Sequence, residues 1–315
     1  MKCVLILIER FMERFPEAVD MFCRNHVRME IRAGISGLSE QDREELLPVV
    51  DALIPGPGIY NQDFLSRLKN LKILCRIGSG MDTIDVKWLE EHHVKVTNTK
   101  GMNANAVAEH TLALILAKLR DIPKLTDDLR AGRWIRSIPG RELGGKTIGL
   151  IGFGIIGKRL LELLQPFHVR IMAYDPFVPP EAIEKAGAIS CSLDDLLSCS
   201  DIVSLHIPAT PENIHFMDAE KISRMKKEAI LINCARGALV DYDALKYALQ
   251  KGIISGAAID TFEHEPVRDT DHELLNLDQL IMTPHLAGTT VESLIADGRC
   301  AAKKIITYLN GDVET

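Results

Sequence analysis

The chain has 315 residues, 46% of them hydrophobic and 26% charged, and a formal net charge of -7 at pH 7. That is enough chain for two domains of ordinary size. The charge gives no reason to expect nucleic acid or an anionic membrane as partner, since either would favour a basic stripe that the sequence lacks. The cysteines, at 3, 23, 75, 191, 199, 234 and 300, form no C-x-x-C pair. They are expected as small core residues in a reducing cytoplasm, with no metal site among them.

In chain order, the first apolar run, Cys3 to Ile8, is too short for a signal peptide and ends at Glu9-Arg10, so it reads as a buried strand. No other stretch approaches the length needed to span a bilayer. Val27 to Ile31, Ala52 to Ile54, Ile73 to Ile77 and Val94 to Thr97 read as further strands, which implies an α/β unit ahead of the central motif. His92 and His93 close a charged helical segment and are expected in solvent. Asn105 is expected to cap a helix through Lys118 whose apolar residues, Val107, Leu112, Leu114, Ile115 and Leu116 among them, surround much of its circumference. A position between lobes or subunits would explain such a helix.

The central motif runs from Lys146 through Gly152-Phe-Gly154-Ile155-Ile156-Gly157, a strand entering a G-x-G-x-x-G turn and then a helical stretch from Lys158 to Leu164. Gly152 permits the tight turn, Gly154 lets backbone approach a pyrophosphate, and Gly157 brings helix and strand together. The next strand, Val169 to Tyr174, ends at Asp175, placed to accept hydrogen bonds from the adenosine ribose hydroxyls. Asp175 repels a 2'-phosphate and no arginine follows it, so NAD is expected over NADP.

Strands are then expected at Ile202 to Ile207, Ile230 to Cys234, Gly256 to Asp260 and Leu280 to Thr283, giving a second, larger sheet and a cleft between the two. Three of these runs deliver chemistry just beyond their ends. Arg236 follows one and can clamp a carboxylate through two parallel bonds. Its structural alternative is a surface arginine paired with Asp241 or Asp243. Glu265 follows the next strand and His285 the last. Hydride exchange between a carbonyl and an alcohol also requires one proton, which histidine handles near neutral pH, and a neighbouring carboxylate orients the ring and raises its pKa. His264 is the rival imidazole but adjoins Glu265, and neighbouring side chains in extended backbone point apart. His206 ends its strand, where adenosine contact and catalysis are equally open. The tail, Ser293 to Leu309, has helical spacing and could return to the first lobe.

Several segments together resemble the D-isomer-specific 2-hydroxyacid dehydrogenase family: Gly78-Ser-Gly-Met-Asp-Thr-Ile-Asp85, Thr97-Asn-Thr-Lys-Gly-Met-Asn103, Ala106-Val-Ala-Glu109, the glycine turn, Asn233-Cys-Ala-Arg236-Gly, Asp260-Thr-Phe-Glu-His-Glu265-Pro and Thr283-Pro-His285. The resemblance implies an α/β fold with a Rossmann doubly wound domain over 99–287 and a smaller flavodoxin-like substrate domain from 1–98 and 288–315. It implies a homodimer that acts on a small 2-keto or 2-hydroxy acid. Arg236 would bind substrate, His285 would be the acid/base and Glu265 its partner. The amides of Ser79 and Gly80 would hold the substrate carboxylate, and Asp260 would meet the nicotinamide carboxamide. Further NAD contacts are implied at Ile155, Ile156, His206, Pro208, Thr210, Cys234, Ala235 and Gly288.

This sequence departs from the family at Lys100, where proline is usual, and at Ile54-Pro-Gly-Pro-Gly58, where many phosphoglycerate dehydrogenases carry an Arg-Ser pair. A phosphorylated substrate is therefore less expected, and so is regulation by a serine-sensing domain beyond Thr315. The other expectations are a glyoxylate or hydroxypyruvate reductase specifically, reduction of a large or aromatic keto acid, or a non-catalytic NAD(H)-sensing corepressor. The last would show dinucleotide-dependent partner binding without turnover.

Overall fold

A computed structural model describes residues 2–137, 139–267 and 272–311. The chain forms two compact units, Met1–Asn103 with Thr289–Thr315, and Ala104–Gly288. Met1 and residues 312–315, which fall within the ranges anticipated for the smaller domain, lie outside the described residues.

In the first unit a five-stranded parallel sheet has the order β2-β1-β3-β4-β5, from β1 (Cys3–Ile6), β2 (Arg28–Ile31), β3 (Ala52–Ile54), β4 (Ile73–Arg76) and β5 (Lys95–Asn98). This is the flavodoxin-like order. β1 and β3 are buried at every position, as expected of parallel strands covered on both faces. One face is covered by the Pro16–Arg24 helix and by the C-terminal helix, Val291–Asn310, which contributes Ala301, Ala302, Ile305 and Ile306 to the same core as Val4, Ile6 and Phe22. Thr290 starts that last helix with a reciprocal cap: its hydroxyl accepts from Ser293 N, and Thr290 N donates to the Ser293 hydroxyl. Polar residues hold the sheet margins too. The Asp51 carboxylate, kept below its ordinary range by Lys72 and the Cys3 amide against the pull of burial, accepts from both.

In the second unit seven parallel strands are ordered β12-β11-β10-β9-β6-β7-β8. They are β6 (Thr147–Ile151), β7 (Arg170–Tyr174), β8 (Ile189–Ser190), β9 (Ile202–Leu205), β10 (Ile230–Asn233), β11 (Gly256–Ile259) and β12 (Leu280–Met282). Counting from β6, this is the doubly wound order in which the first strand is central and the chain reverses beside it. The pattern of apolar runs misses β8, a two-residue edge strand paired only with β7, too short to show any periodicity.

The Ala104–Leu119 helix packs on the Ile155–Leu164 helix and on β10 and β11, inside this unit. It begins one residue before Asn105, so Asn105 is not its cap. That amide is taken up by side chains instead, donating to Glu109 and accepting from Arg159. Among the described residues no helix is long and apolar enough to cross a membrane.

Gly298 of the C-terminal helix lies against Phe15, where a Cβ would sit 2.9 Å from the ring edge. Phe15 is fully buried. Gly298→Ala should cost about 1–3 kcal/mol by overpacking, against a helix-propensity gain of about 1 kcal/mol, and Gly298→Val should cost more. Urea midpoints for both variants that match the unsubstituted protein would show that the ring gives way freely.

Candidate active site

Strand register places the anticipated site residues in one line. Tyr174, Ile151, Leu205, Asn233, Ile259 and Met282 are consecutive partners across the sheet. The residues one step further along each parallel strand are therefore Asp175, Gly152, His206, Cys234, Asp260 and Thr283, all at the carboxyl edge where such sheets bind ligands. Arg236, Glu265 and His285 follow within a few residues of that line.

At the β6 end the backbone is packed too closely for side chains. A Cβ on Gly152 would meet the His206 carbonyl oxygen at 2.6 Å, and one on Gly157 would meet the Gly152 carbonyl oxygen at 2.5 Å. Gly152 also has φ of 99°, a region that glycine enters without penalty. A Cβ on Gly154 would meet nothing within 4 Å, so open space lies over the turn at the helix start. The helix makes its first backbone bond from Lys158 N to Gly154 O, which leaves the earlier N–H groups for an anion.

Asp175 completes this end, its Oδ2 accepting from Phe153 N at 2.8 Å and Oδ1 from Phe177 N at 2.9 Å. It ties the glycine turn to the end of the next strand. The open cradle, the free helix amides and the carboxylate fit a dinucleotide. Ile155 is half exposed and Ile156 partly buried beside the turn, while Pro208 is exposed and Thr210 partly buried past β9. Burial pushes the Cys234 thiol up to about 12. Ala235 donates to Asn233 Oδ1 and accepts from Arg236 Nη1, and Gly288 is partly buried.

At the other end of the line, His285 Nδ1 donates to Glu265 Oε2 at 2.6 Å. The other carboxylate oxygen, Oε1, accepts from Phe262 N at 2.9 Å, which fixes the acid before it meets the ring. His285 has φ of 53°, and its N–H donates to the carbonyl oxygens of Asp260 (2.7 Å) and Thr283 (3.0 Å), so the turn that aims the imidazole is itself hydrogen-bonded. His264, the rival ring, has the adjacent position in the Glu265 segment, but the short bond belongs to His285.

Arg236 leaves β10 in extended conformation. The two carboxylates named above as its surface partners are engaged elsewhere: Asp241 accepts from Ala244 N, and Asp243 faces Lys246. Gly237 brings the Arg236 and Glu265 segments together, since a Cβ there would fall 2.0 Å from the Phe262 carbonyl. Tyr242 Oη donates to Thr261 O at 2.5 Å across the same seam.

Asp260 sits under this end, wholly buried. Its Oδ1 accepts from Thr283 Oγ1 (2.5 Å) and Leu286 N (2.9 Å), and its Oδ2 from Ala287 N (2.8 Å). His110, absent from the sequence expectations, joins through Nε2 to Thr283 Oγ1 at 3.0 Å. It lies 173 residues from that partner, a separation at which sequence pattern carries no cue. Ser79 and Gly80 belong to the other unit, in the turn after β4, with Ser79 exposed and Gly80 partly buried.

A Rossmann sheet with this glycine turn and ribose-side carboxylate defines a dinucleotide-binding α/β protein. The chain belongs to the D-isomer specific 2-hydroxyacid dehydrogenase family, whose NAD-binding domain matches residues 112–287. It is 38% identical to the D-3-phosphoglycerate dehydrogenase of Methanocaldococcus jannaschii over 88% of this chain and 53% of that one. The chain thus spans about half the length of such relatives. A hydroxypyruvate reductase of Thermotoga maritima is 37% identical over 89% of this chain and 92% of its own. Among solved structures, a D-lactate dehydrogenase from Aquifex aeolicus, complexed with NAD and lactic acid, superposes with a TM-score of 0.87 at 29% identity, covering 99% of this chain and 96% of that one.

Two predictions follow from this geometry. Gly237→Ala should displace the Arg236 and Glu265 segments together, since a Cβ there would overlap the Phe262 carbonyl, while dinucleotide binding by fluorescence is kept; a crystal structure of the variant with both segments unmoved would mean the seam is soft. Burial holds the His206 imidazole down to about 4, from an ordinary value of 6.5. The unfolded chain therefore takes up a proton that the folded one refuses, and stability should be full above pH 6.5 and decline as pH falls toward 4. Urea unfolding of His206→Gln should show a smaller decline over that window.

Proposed function

We propose that this chain is an NAD-dependent dehydrogenase interconverting a small 2-keto acid and its D-2-hydroxy acid. The observation that carries the reading is the His285–Glu265 pair, 2.6 Å apart at the same sheet edge as the dinucleotide turn. Bound NADH supplies the hydride for the carbonyl carbon. Arg236 binds the substrate carboxylate and carbonyl through charge-assisted bonds. With Nδ1 given to Glu265, His285 presents Nε2 to the carbonyl oxygen and transfers its proton there as the alcohol forms, ending neutral. Glu265 fixes the ring's orientation and which nitrogen faces the substrate. In the oxidative direction His285 accepts that proton back. The amides of Ser79 and Gly80 take the substrate carboxylate, Asp260 and the backbone around it keep the acid/base loop in place, and the first unit serves as the substrate domain.

The substrate's side chain is small and carries no phosphate. Residues 54–60 contain no cation, and the Arg76 guanidinium donates to the carbonyl oxygens of Pro55 (3.2 Å) and Gly56 (2.6 Å). Hydroxypyruvate, glyoxylate and pyruvate fit this description, and similarity to a hydroxypyruvate reductase of Thermotoga maritima supports the first of them. A homodimer through the second unit is supported by the apolar side chains Ile122, Leu129 and Trp134, all more than half exposed. A cytoplasmic location agrees with seven free cysteines.

NADH consumption against glyoxylate, hydroxypyruvate, pyruvate, 2-ketoglutarate and phosphohydroxypyruvate tests the reading. His285→Ala and Arg236→Ala should lower turnover by about 10²–10⁴-fold and Glu265→Gln by about tenfold, with NADH affinity retained. An unchanged rate in His285→Ala would end the assignment.

A further inference from the structure

The first unit contains a buried polar chain that the reading above does not use. Thr99 is 1% exposed and Asp297 4% exposed. The Thr99 hydroxyl donates to Asp297 Oδ1 in a close hydrogen bond between residues 198 positions apart. Thr99 Oγ1 in turn accepts from Gly78 N at 2.7 Å, and Thr99 N donates to Arg76 O at 3.0 Å. The C-terminal helix is thus joined through one hydroxyl to the turn that carries Ser79 and Gly80. Two turns further along that helix, Lys304 donates to Thr97 Oγ1 (3.3 Å) and Asn98 O (2.9 Å), which holds the end of β5 at the same place.

A hydroxyl has one proton and two lone pairs. With its proton committed to Asp297, Thr99 must turn a lone pair toward Gly78, and a carboxylate acceptor makes that oxygen a better acceptor in turn. Gly78 has φ of 92°. It is the residue in this turn held at positive φ, a region glycine enters without penalty, so its N–H is where the turn can be pinned. Beyond it, the N–H groups of Ser79 and Gly80 have no acceptor among the described residues. Successive unpaired amides after a positive-φ residue make an anion-binding concavity.

Stability does not explain the chain. Burial raises the Asp297 pKa, opposed only by the Thr99 hydrogen bond. A buried carboxyl with a neutral partner is worse for stability than a well-packed apolar pair.

We propose that Asp297 and Thr99 are positioning residues whose buried relay fixes the Gly78 peptide and so aims the Ser79 and Gly80 amides at the substrate carboxylate. The proposal rests on the reading of those amides given above. It is tested with Thr99→Val, Asp297→Leu, their combination, and Thr99→Ser, which keeps the hydroxyl. KM for the best 2-keto acid should rise about tenfold in the first two, with kcat within about twofold, as expected for loss of uniform binding. Oxamate, an unreactive keto-acid mimic, should weaken by the same factor in calorimetric titration of the NADH-loaded protein, while NADH affinity and the thermal midpoint hold or improve. The double variant should be no worse than either single one, because the two side chains act in series, and Thr99→Ser should keep the original KM.

Amide hydrogen exchange at Gly78 should quicken in Thr99→Val. KM and oxamate affinity unmoved in that variant, with the unsubstituted protein active, would overturn the relay and leave the functional reading standing. Absence of turnover by the unsubstituted protein on every 2-keto acid would remove the reading and the relay with it. A fall in thermal midpoint with KM unmoved would assign the pair a purely structural role and overturn the proposal too.

Discussion

The His285–Glu265 end of the sheet edge depends on the Asp260 carboxyl group. Three donors converge on it, Thr283 Oγ1, Leu286 N and Ala287 N, and its own carbonyl oxygen accepts from His285 N. A polar group with no solvent contact is tolerated only where its hydrogen bonds are made, and each partner withdrawn costs about 1–3 kcal/mol. The loop after β12 therefore has one low-energy arrangement, the one in which its amides face β11. His285 inherits its left-handed backbone and its direction from that arrangement. The ring then needs only Glu265, itself held by Phe262 N, to fix which nitrogen faces outward. The imidazole itself is solvent-exposed, so the order in this part of the site comes from the buried layer beneath it.

Backbone proximity does the same work at both ends of the line. Gly152 lies against the His206 carbonyl, Gly157 against the Gly152 carbonyl, and Gly237 against Phe262. Each contact is closer than any Cβ permits; the Gly152 and Gly237 contacts join separate segments, and the Gly157 contact closes the glycine turn on itself. Main-chain atoms move less than side chains do, so a site assembled this way loses little entropy when it meets its ligand. The parallel register across six strands provides the remaining order, because a one-residue slip in any strand would turn its end group to the opposite face.

The sheet and the trio were legible because parallel strands write themselves as continuous apolar runs and because function gathers where such runs stop. Lys146 to Gly152 and Leu231 to Arg236 show both properties in a dozen residues or fewer. β8 was not legible, since two residues at an edge carry no period. Asn105 was misread as a cap because a capping asparagine and one bonded to Glu109 and Arg159 look alike until the neighbouring helix is in place. Asp260 was visible as a candidate, but its three loop donors were not. His110 and Asp297 were invisible for a simpler reason: their partners lie 173 and 198 residues away, and no local pattern records a contact at that range.

Asp260 and Asp297 show that burial alone does not define a carboxyl group's task. Asp260 receives three hydrogen bonds, two of them from backbone amides, enough to offset much of the cost of leaving water and to make it an anchor for its loop. Among the described residues Asp297 accepts from a single side-chain donor, the neutral Thr99 hydroxyl, and burial raises its pKa. A buried carboxyl with one neutral partner is generally worse for stability than a well-packed apolar pair, so thermodynamic advantage lies with the anchor and not with the relay. What Asp297 supplies is direction: it commits the single proton of Thr99, and through it the orientation of a glycine that would otherwise turn freely. The two acids thus do opposite things for their turns, one adding stability to a loop whose shape is already determined, the other giving up stability to determine a shape.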